Sequence, residues 1–203
     1  KALAIKPDYA DAYNNMGNAF TDQGMLEEAI EAYTKALAIK PDYAVAYNNM
    51  GNAFKDQGKL DDAIEAYNKA FSIKPDYAEA HRNLSSIKKY TEADGQFFTV
   101  QELYKREDLS EDSRCNLNFA LAKMYEDIGE LDQTFRHLSE GNALRKKLLR
   151  YSINTDRELF TKLKKTQPNL QKSSLEIKEG SIQPTPIFIL GMPRSGTTLV
   201  EQI

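Results

Sequence analysis

The sequence predicts an all-α solenoid of antiparallel helix pairs, followed by the first strand–loop–helix of a truncated α/β domain of the phosphate-loop kind. Three observations carry this. The string "KPDYA" recurs at Lys6, Lys40 and Lys74, a period of 34, and Tyr9–Asp42 matches Tyr43–Asp76 at 26 of 34 positions. Each period holds two apolar patterns of helical spacing, the mark of a stacked helical repeat. The last stretch, "PIFILGMPRSGTTLVEQI" from Pro186 to Ile203, reads as an apolar strand, a glycine-bounded loop and the start of a helix.

In the first full unit Tyr13, Met16, Gly17 and Phe20 fall at i, i+3, i+4, i+7 and form one apolar stripe. Gly17, Ala29 and Ala36 are small where two helices must approach closely. Gly24 ends the first helix, and Pro41 ends the second. The second unit repeats the pattern with Tyr47, Met50, Gly51, Phe54, Gly58, Ala63, Tyr67, Ala70 and Pro75. The third keeps the first helix with Leu84 and Ser85 in place of Met and Gly. Its turn glycine is expected at Gly95, three residues late, and Tyr104 then stands where Tyr33 and Tyr67 stood. Leu121, Ala122, Tyr125, Gly129, Leu131 and Leu138 mark a fourth, diverged unit, and the opening "KALAIKPD" reads as the tail of an earlier one. The repeats thus occupy residues 1–150. Residues 151–185 are expected to hold a short helix to about Lys165, opened by a capping box of Thr155 and Glu158, and a polar linker from Gln167. Residues 186–203 begin the next domain.

The bulk numbers exclude several classes. With 27 basic and 30 acidic side chains in 203 residues, a net charge of -3 gives no reason to expect nucleic acid or an anionic membrane as partner. The basic run Arg145, Lys146, Lys147 and Arg150 reads as a solvated helix face. The one cysteine, Cys115, cannot form an internal disulfide and suits a reducing, cytoplasmic setting. No apolar run approaches a membrane span. His81 has no second His or Cys at ligand spacing, so no metal site is expected.

The 34-residue units resemble tetratricopeptide repeats, and their wording, "AYNNMGNAF", is similar to the repeats of the O-linked N-acetylglucosamine transferase. That resemblance implies a concave groove lined by first helices, binding a peptide or protein. It also implies that the asparagine two places before the small glycine, here Asn15, Asn49 and Asn83, pairs with peptide backbone. A carboxamide offers one acceptor and two donors, enough for a C=O and an N–H together. The alternative is that these asparagines merely sit on a solvated surface. Asn18 and Asn52, replaced by Ser86 in the third unit, are weaker candidates. Tyr13, Tyr47 and His81 read as core.

In the loop, Gly191, Gly196 and Thr198 match the phosphate-loop pattern, but Thr197 stands where its lysine belongs, which argues against nucleoside triphosphate hydrolysis. Arg194 restores a cation inside the loop. "FILGMPRSGTTL" resembles the 5′-phosphosulfate loop of sulfotransferases that use 3′-phosphoadenosine-5′-phosphosulfate. With the repeats and "GNALRKKLL", the chain resembles bacterial tetratricopeptide repeat–sulfotransferase fusions. The resemblance implies that Arg194, Ser195, Gly196, Thr197 and Thr198 contact the 5′-phosphosulfate, with Arg194 stabilising the transition state and no metal required. The general base is expected beyond residue 203. The implied parent is a sulfotransferase whose repeats bind protein. The alternative is a non-catalytic interaction module or scaffold, and a turn without ligand or a nucleotide kinase are further readings of the loop. The 203-residue chain alone is expected to be inactive, and Ile187–Leu190, as a lone strand, to lack order or find a partner, which allows self-association through the truncated ends.

Overall fold

The computed structural model describes residues 9–173, and the chain divides between Tyr151 and Ser152 into two compact units. The first unit is built of α1 (Ala10–Asp22), α2 (Leu26–Ile39), α3 (Ala44–Asp56), α4 (Leu60–Ile73), α5 (Ala78–Ser85), α6 (Gly95–Tyr104), α7 (Glu111–Ile128) and α8 (Leu131–Leu148). Helices α1 and α2, α3 and α4, and α7 and α8 pair as neighbours, and the first helices touch in succession, α1 on α3, α3 on α5, α5 on α7.

The turn within a pair is set by glycine. Gly24, Gly58 and Gly129 have φ of 74°, 77° and 86°, a region that a Cβ penalises. Around Gly24 the N–H of Met25 donates to Phe20 O at 2.9 Å and that of Gly24 to Thr21 O at 2.9 Å. Together these are the paired bonds of a Schellman stop. The same two bonds recur around Gly58 and Gly129.

Close approach within a pair depends on the other glycines. A Cβ on Gly17 would lie 2.4 Å from Tyr33 Cε1, and one on Gly51 would lie 2.6 Å from Tyr67 Cε1. Each tyrosine is buried and donates its hydroxyl to a side chain on the partner helix, Tyr33 to Asn18 Oδ1 and Tyr67 to Asn52 Oδ1, both at 2.8 Å. Asn18 and Asn52 therefore hold the pair together. Ala29, Ala36, Ala63 and Ala70 are fully buried, as their spacing requires. The apolar clusters straddle units: Ala29 and Tyr33 pack with Ala53, and Ala63 and Tyr67 with Leu84. No unit buries its own stripe alone.

The third unit departs from the expectation. Helix α5 ends at Ser85 after eight residues, and a connector leads to Asp94, whose carboxylate caps α6 by accepting from Gln96 N at 2.9 Å. Gly95 is thus the first residue of a helix, without positive φ, and not the turn glycine. Tyr104 does not repeat Tyr33 either: it is half-buried and donates to Glu140 Oε2 at 2.5 Å. The physical reason lies at Ser85, which carries a Cβ where Gly17 and Gly51 leave room for a ring. Both α5 and α6 pack on α7. The connector is held by Tyr90, buried, whose backbone N–H donates to Asp127 Oδ2 at 3.1 Å. In the fourth unit Leu121 and Ala122 are buried, Leu131 is exposed, and Cys115 is fully buried between α7 and α8 with Sγ 3.5 Å from Gly141 O.

In the second unit α9 runs Ile153–Ser173. Its N-cap is Ser152, whose Oγ accepts from Asn154 N at 3.3 Å, so Thr155 lies inside the helix and the expected capping box does not form. The helix also continues past Lys165 and the linker start at Gln167. Residues 162–165 are good helix formers, and the helix runs on through Pro168, which has no N–H to donate. The strand–loop–helix of residues 186–203, with Arg194, Ser195, Gly196, Thr197 and Thr198, lies outside the described residues.

Candidate functional site

The face made by α1, α3, α5 and α7 carries the candidate peptide-binding side chains. Asn15 is exposed, and Asn49 and Asn83 are half-buried. Asn49 Nδ2 donates to Asn14 Oδ1 at 3.0 Å and to Asn18 Oδ1 at 3.1 Å, and Asn83 Nδ2 donates to Asn48 Oδ1 at 3.0 Å. These asparagines therefore bridge consecutive first helices, and both Asn49 donors are engaged. Asn49 keeps its oxygen for a ligand, whereas Asn83 keeps an oxygen and one N–H.

Asn14 and Asn48, the acceptors, are buried, and sequence reasoning passed over them. The signal was present. Ala10, Asn14 and Gly17 fall at i, i+4, i+7, which puts Asn14 on the same buried stripe as the small glycine. Asn48 also donates to Glu79 Oε1 at 3.3 Å.

In the third and fourth units the chemistry of this face changes. The residue in the register of Asn14 and Asn48 is Arg82, and then Phe119. The Arg82 guanidinium lies 5.1 Å from the centre of the Phe119 ring, with Nη1 donating to Asn116 Oδ1 at 3.2 Å. Arg145 approaches the same ring at 5.9 Å. An open cavity of about 400 Å³ sits here, lined by Lys55, Arg82, Asn83, Ser86, Phe119 and Lys123.

A second cavity, of about 620 Å³, opens where the third pair departs from the others, between α4, the connector and α6. His81 lines it, stacked on Phe71 at 4.9 Å, with Nε2 2.9 Å from Pro75 O and Nδ1 3.4 Å from Gln96 Nε2. Burial pushes its pKa below the ordinary value of 6.5, opposed by the bond to Pro75. His137, buried in the fourth pair against Tyr125 and Tyr104, is pushed down to about 4 by burial and then by Arg136, with Glu140 opposing. Among the described residues no group of His, Cys, Asp and Glu is placed to hold a metal ion, and no helix is long and apolar enough to cross a membrane.

Residues 17–58 and 51–87 match the family model described as TPR repeat. These residues are tetratricopeptide repeats. The chain is similar in fold to MamA, whose crystal structure superposes with a TM-score of 0.51 at 20% identity, covering 74% of this chain and 86% of that one. The crystal structure titled "YrrB: a TPR protein with an unusual peptide-binding site" has a TM-score of 0.49 at 20% identity, covering 70% of this chain and 72% of that one. In sequence, the chain is 31% identical over 119 residues to an uncharacterized protein of Aquifex aeolicus (strain VF5), a match that takes in 58% of this chain and 15% of the relative's length.

Proposed function

We propose that the tetratricopeptide array is a protein-binding module that takes an extended polypeptide segment along α1, α3, α5 and α7. The observation that carries this reading is the run of carboxamides on successive first helices, Asn15, Asn49 and Asn83, at the repeat spacing and reachable from solvent. Asn83 keeps an N–H and its oxygen and Asn49 keeps its oxygen, groups that pair with peptide backbone whatever the side chains, which suits a surface that reads extension more than sequence. Panning the chain against random dodecapeptides displayed on phage tests the reading. Enrichment that is lost in Asn15→Ala/Asn49→Ala/Asn83→Ala, with helicity retained, supports it. Enrichment unchanged by the triple substitution overturns it.

A second reading, which supposes a longer parent polypeptide, rests on one sequence feature, "GMPRSGTT" at Gly191–Thr198. In this proposal the parent is a sulfotransferase using 3′-phosphoadenosine-5′-phosphosulfate, which supplies the sulfuryl group when bound. Backbone N–H groups of the loop, the hydroxyls of Ser195, Thr197 and Thr198, and the Arg194 guanidinium hold its 5′-phosphate side and offset charge that gathers on that phosphate. Equilibrium dialysis of the parent with the labelled nucleotide is the test. Binding lost in Arg194→Ala supports the reading, and binding of ATP in its place overturns it.

A further inference from the structure

We propose that the cavity between α4, the connector and α6 is a binding site for a free nucleobase or nucleoside, seated against the Phe71–His81 ring pair and read along its edge by Asn68. The cavity shares no residue with the row of Asn15, Asn49 and Asn83, so the proposal goes beyond the peptide-binding reading and does not depend on it.

The argument begins with the repeat. The first two full units differ at eight of 34 positions. Three residues of the second unit line the cavity, Asn68, Phe71 and Pro75, and two of them are among those eight. Thr34 of the first unit is replaced by Asn68, and Leu37 by Phe71. A third change comes from the next unit, where the stripe position of Tyr13 and Tyr47 holds His81. A hydroxyl has become a carboxamide, and an aliphatic chain has become a ring. Departures from an otherwise copied pattern mark places where something besides packing is served.

The wall of the cavity is preformed. His81 is buried and lies nearly parallel to Phe71, with ring centres 4.9 Å apart. Its Nε2 stands 2.9 Å from Pro75 O, and a carbonyl only accepts, so that nitrogen carries the proton. Nδ1 then accepts from Gln96 Nε2 at 3.4 Å, and Gln96 Oε1 accepts from the Tyr90 hydroxyl at 2.8 Å. Each bond has one direction, which fixes both the imidazole and the amide. At the rim Lys88 Nζ pairs with Asp94 Oδ2 at 2.6 Å, and Asp94 Oδ1 accepts from Gln96 N at 2.9 Å.

The groups left over define the ligand. Among the described residues no partner meets the Asn68 carboxamide or the Thr91 hydroxyl, and Gln96 keeps one N–H. A carboxamide sets a donor beside an acceptor, the pattern that pairs in two bonds with the edge of a base. The ring pair supplies the flat apolar surface against which bases are held. A volume of about 620 Å³ falls in the range of small-molecule sites. Charge decides the form of the ligand. Among the described residues Lys88 is the one cation lining the cavity, and Asp94 already neutralises it, so a phosphate finds no free counter-charge there. The site therefore suits an uncharged base or nucleoside, and not a nucleotide or a strand of nucleic acid.

The test is equilibrium dialysis of the 203-residue chain with adenosine, guanosine, cytidine and uridine, with ribose and AMP as comparators. At least one nucleoside should bind with a Kd at or below about 1 mM, ribose should not bind, and AMP should bind no more tightly than adenosine. Asn68→Thr and Phe71→Leu install the residues of the first unit. Each should weaken the nucleoside by about tenfold, the scale of one paired edge or one stacked base, with the circular-dichroism melt unchanged. Because Phe71 also packs on His81, Asn68→Thr keeps the proposal falsifiable if Phe71→Leu unsettles the helix pair. No binding of any of the four nucleosides at about 10 mM overturns the proposal. So does binding unchanged in Asn68→Thr, ribose binding as well as a nucleoside, or AMP binding more tightly than adenosine. Any of these failures leaves the phage enrichment on the carboxamide row standing, so the two readings fail separately.

Discussion

Gly51→Ala tests the packing rule on which the paired helices stand. The added Cβ would lie 2.6 Å from Tyr67 Cε1 and 2.8 Å from Cδ1. Carbon atoms pack comfortably at about 3.5 Å, so the ring must retreat by about 0.9 Å. It has nowhere to go without cost, since Tyr67 is fully buried and its hydroxyl is tied to Asn52 Oδ1 at 2.8 Å. Overpacking of this kind costs about 1–3 kcal/mol, and weakening the hydroxyl bond adds about 1 kcal/mol. Alanine returns about 1 kcal/mol through its better helix propensity. The expected net loss is about 2 kcal/mol, read as a fall in Tm of roughly 4–8 °C by circular dichroism at 222 nm. Two companions sharpen the test. Adding Tyr67→Leu should make the pair of changes cost less than the sum of the single ones, because the clash disappears with the ring. Gly95→Ala, with no atom within 4 Å of the new Cβ and no positive φ, should be neutral or slightly stabilising. The protein supplies its own contrast in Ser85, a buried residue with a Cβ in the register of Gly17 and Gly51. A Gly51→Ala chain as stable as the wild type would refute the reasoning.

Three further outcomes are expected. Asn83→Ala leaves the oxygen of buried Asn48 without its 3.0 Å donor, which should cost about 1–3 kcal/mol in urea denaturation, so loss of peptide binding in that variant must be read beside its stability. Ser110→Ala removes the cap of α7, where Oγ accepts from Ser113 N at 3.1 Å, and should cost about 1 kcal/mol in the same assay. Both histidines hold folded pKa values below the ordinary 6.5, so the unfolded chain takes up protons that the folded chain refuses. Stability is therefore full above that pH and falls on acidification toward the folded value, about 4 for His137, by about 1.4 kcal/mol per pH unit for each histidine. His137→Gln should flatten the fall in thermal melts between pH 7 and pH 5, and an unchanged slope would show that this histidine is not its source.

The first two units were legible because each essential residue recurs in register. Gly17, Ala29, Tyr33 and Gly24 have counterparts in Gly51, Ala63, Tyr67 and Gly58, and their roles follow from size and backbone freedom alone. The third unit was misread because its structure depends on contacts the period does not encode. Tyr90 is fixed by Asp127, 37 residues away, and once Ser85 replaces the glycine the helix has no reason to continue to a turn at Gly95. At the candidate site the spacing singled out Asn15, Asn49 and Asn83 as candidates but not that two of them brace the repeats. A rotation of one residue, about 100° on a helix, separates the buried Asn14 and Asn48 from these neighbours. Arg82 and Phe119 became informative only when the structure placed them against each other.

Cys115 gives the fourth helix pair a clock of its own. It is the one thiol in the chain and none of its surface meets solvent, so a thiol reagent can reach it only while α7 and α8 are parted. With reagent in excess, the rate of labelling reports how often that pair breathes, independently of the tyrosine-locked pairs before it. A ligand that braces α7 against α8 would slow the reaction, registering occupancy through chemistry at a sulfur it never touches.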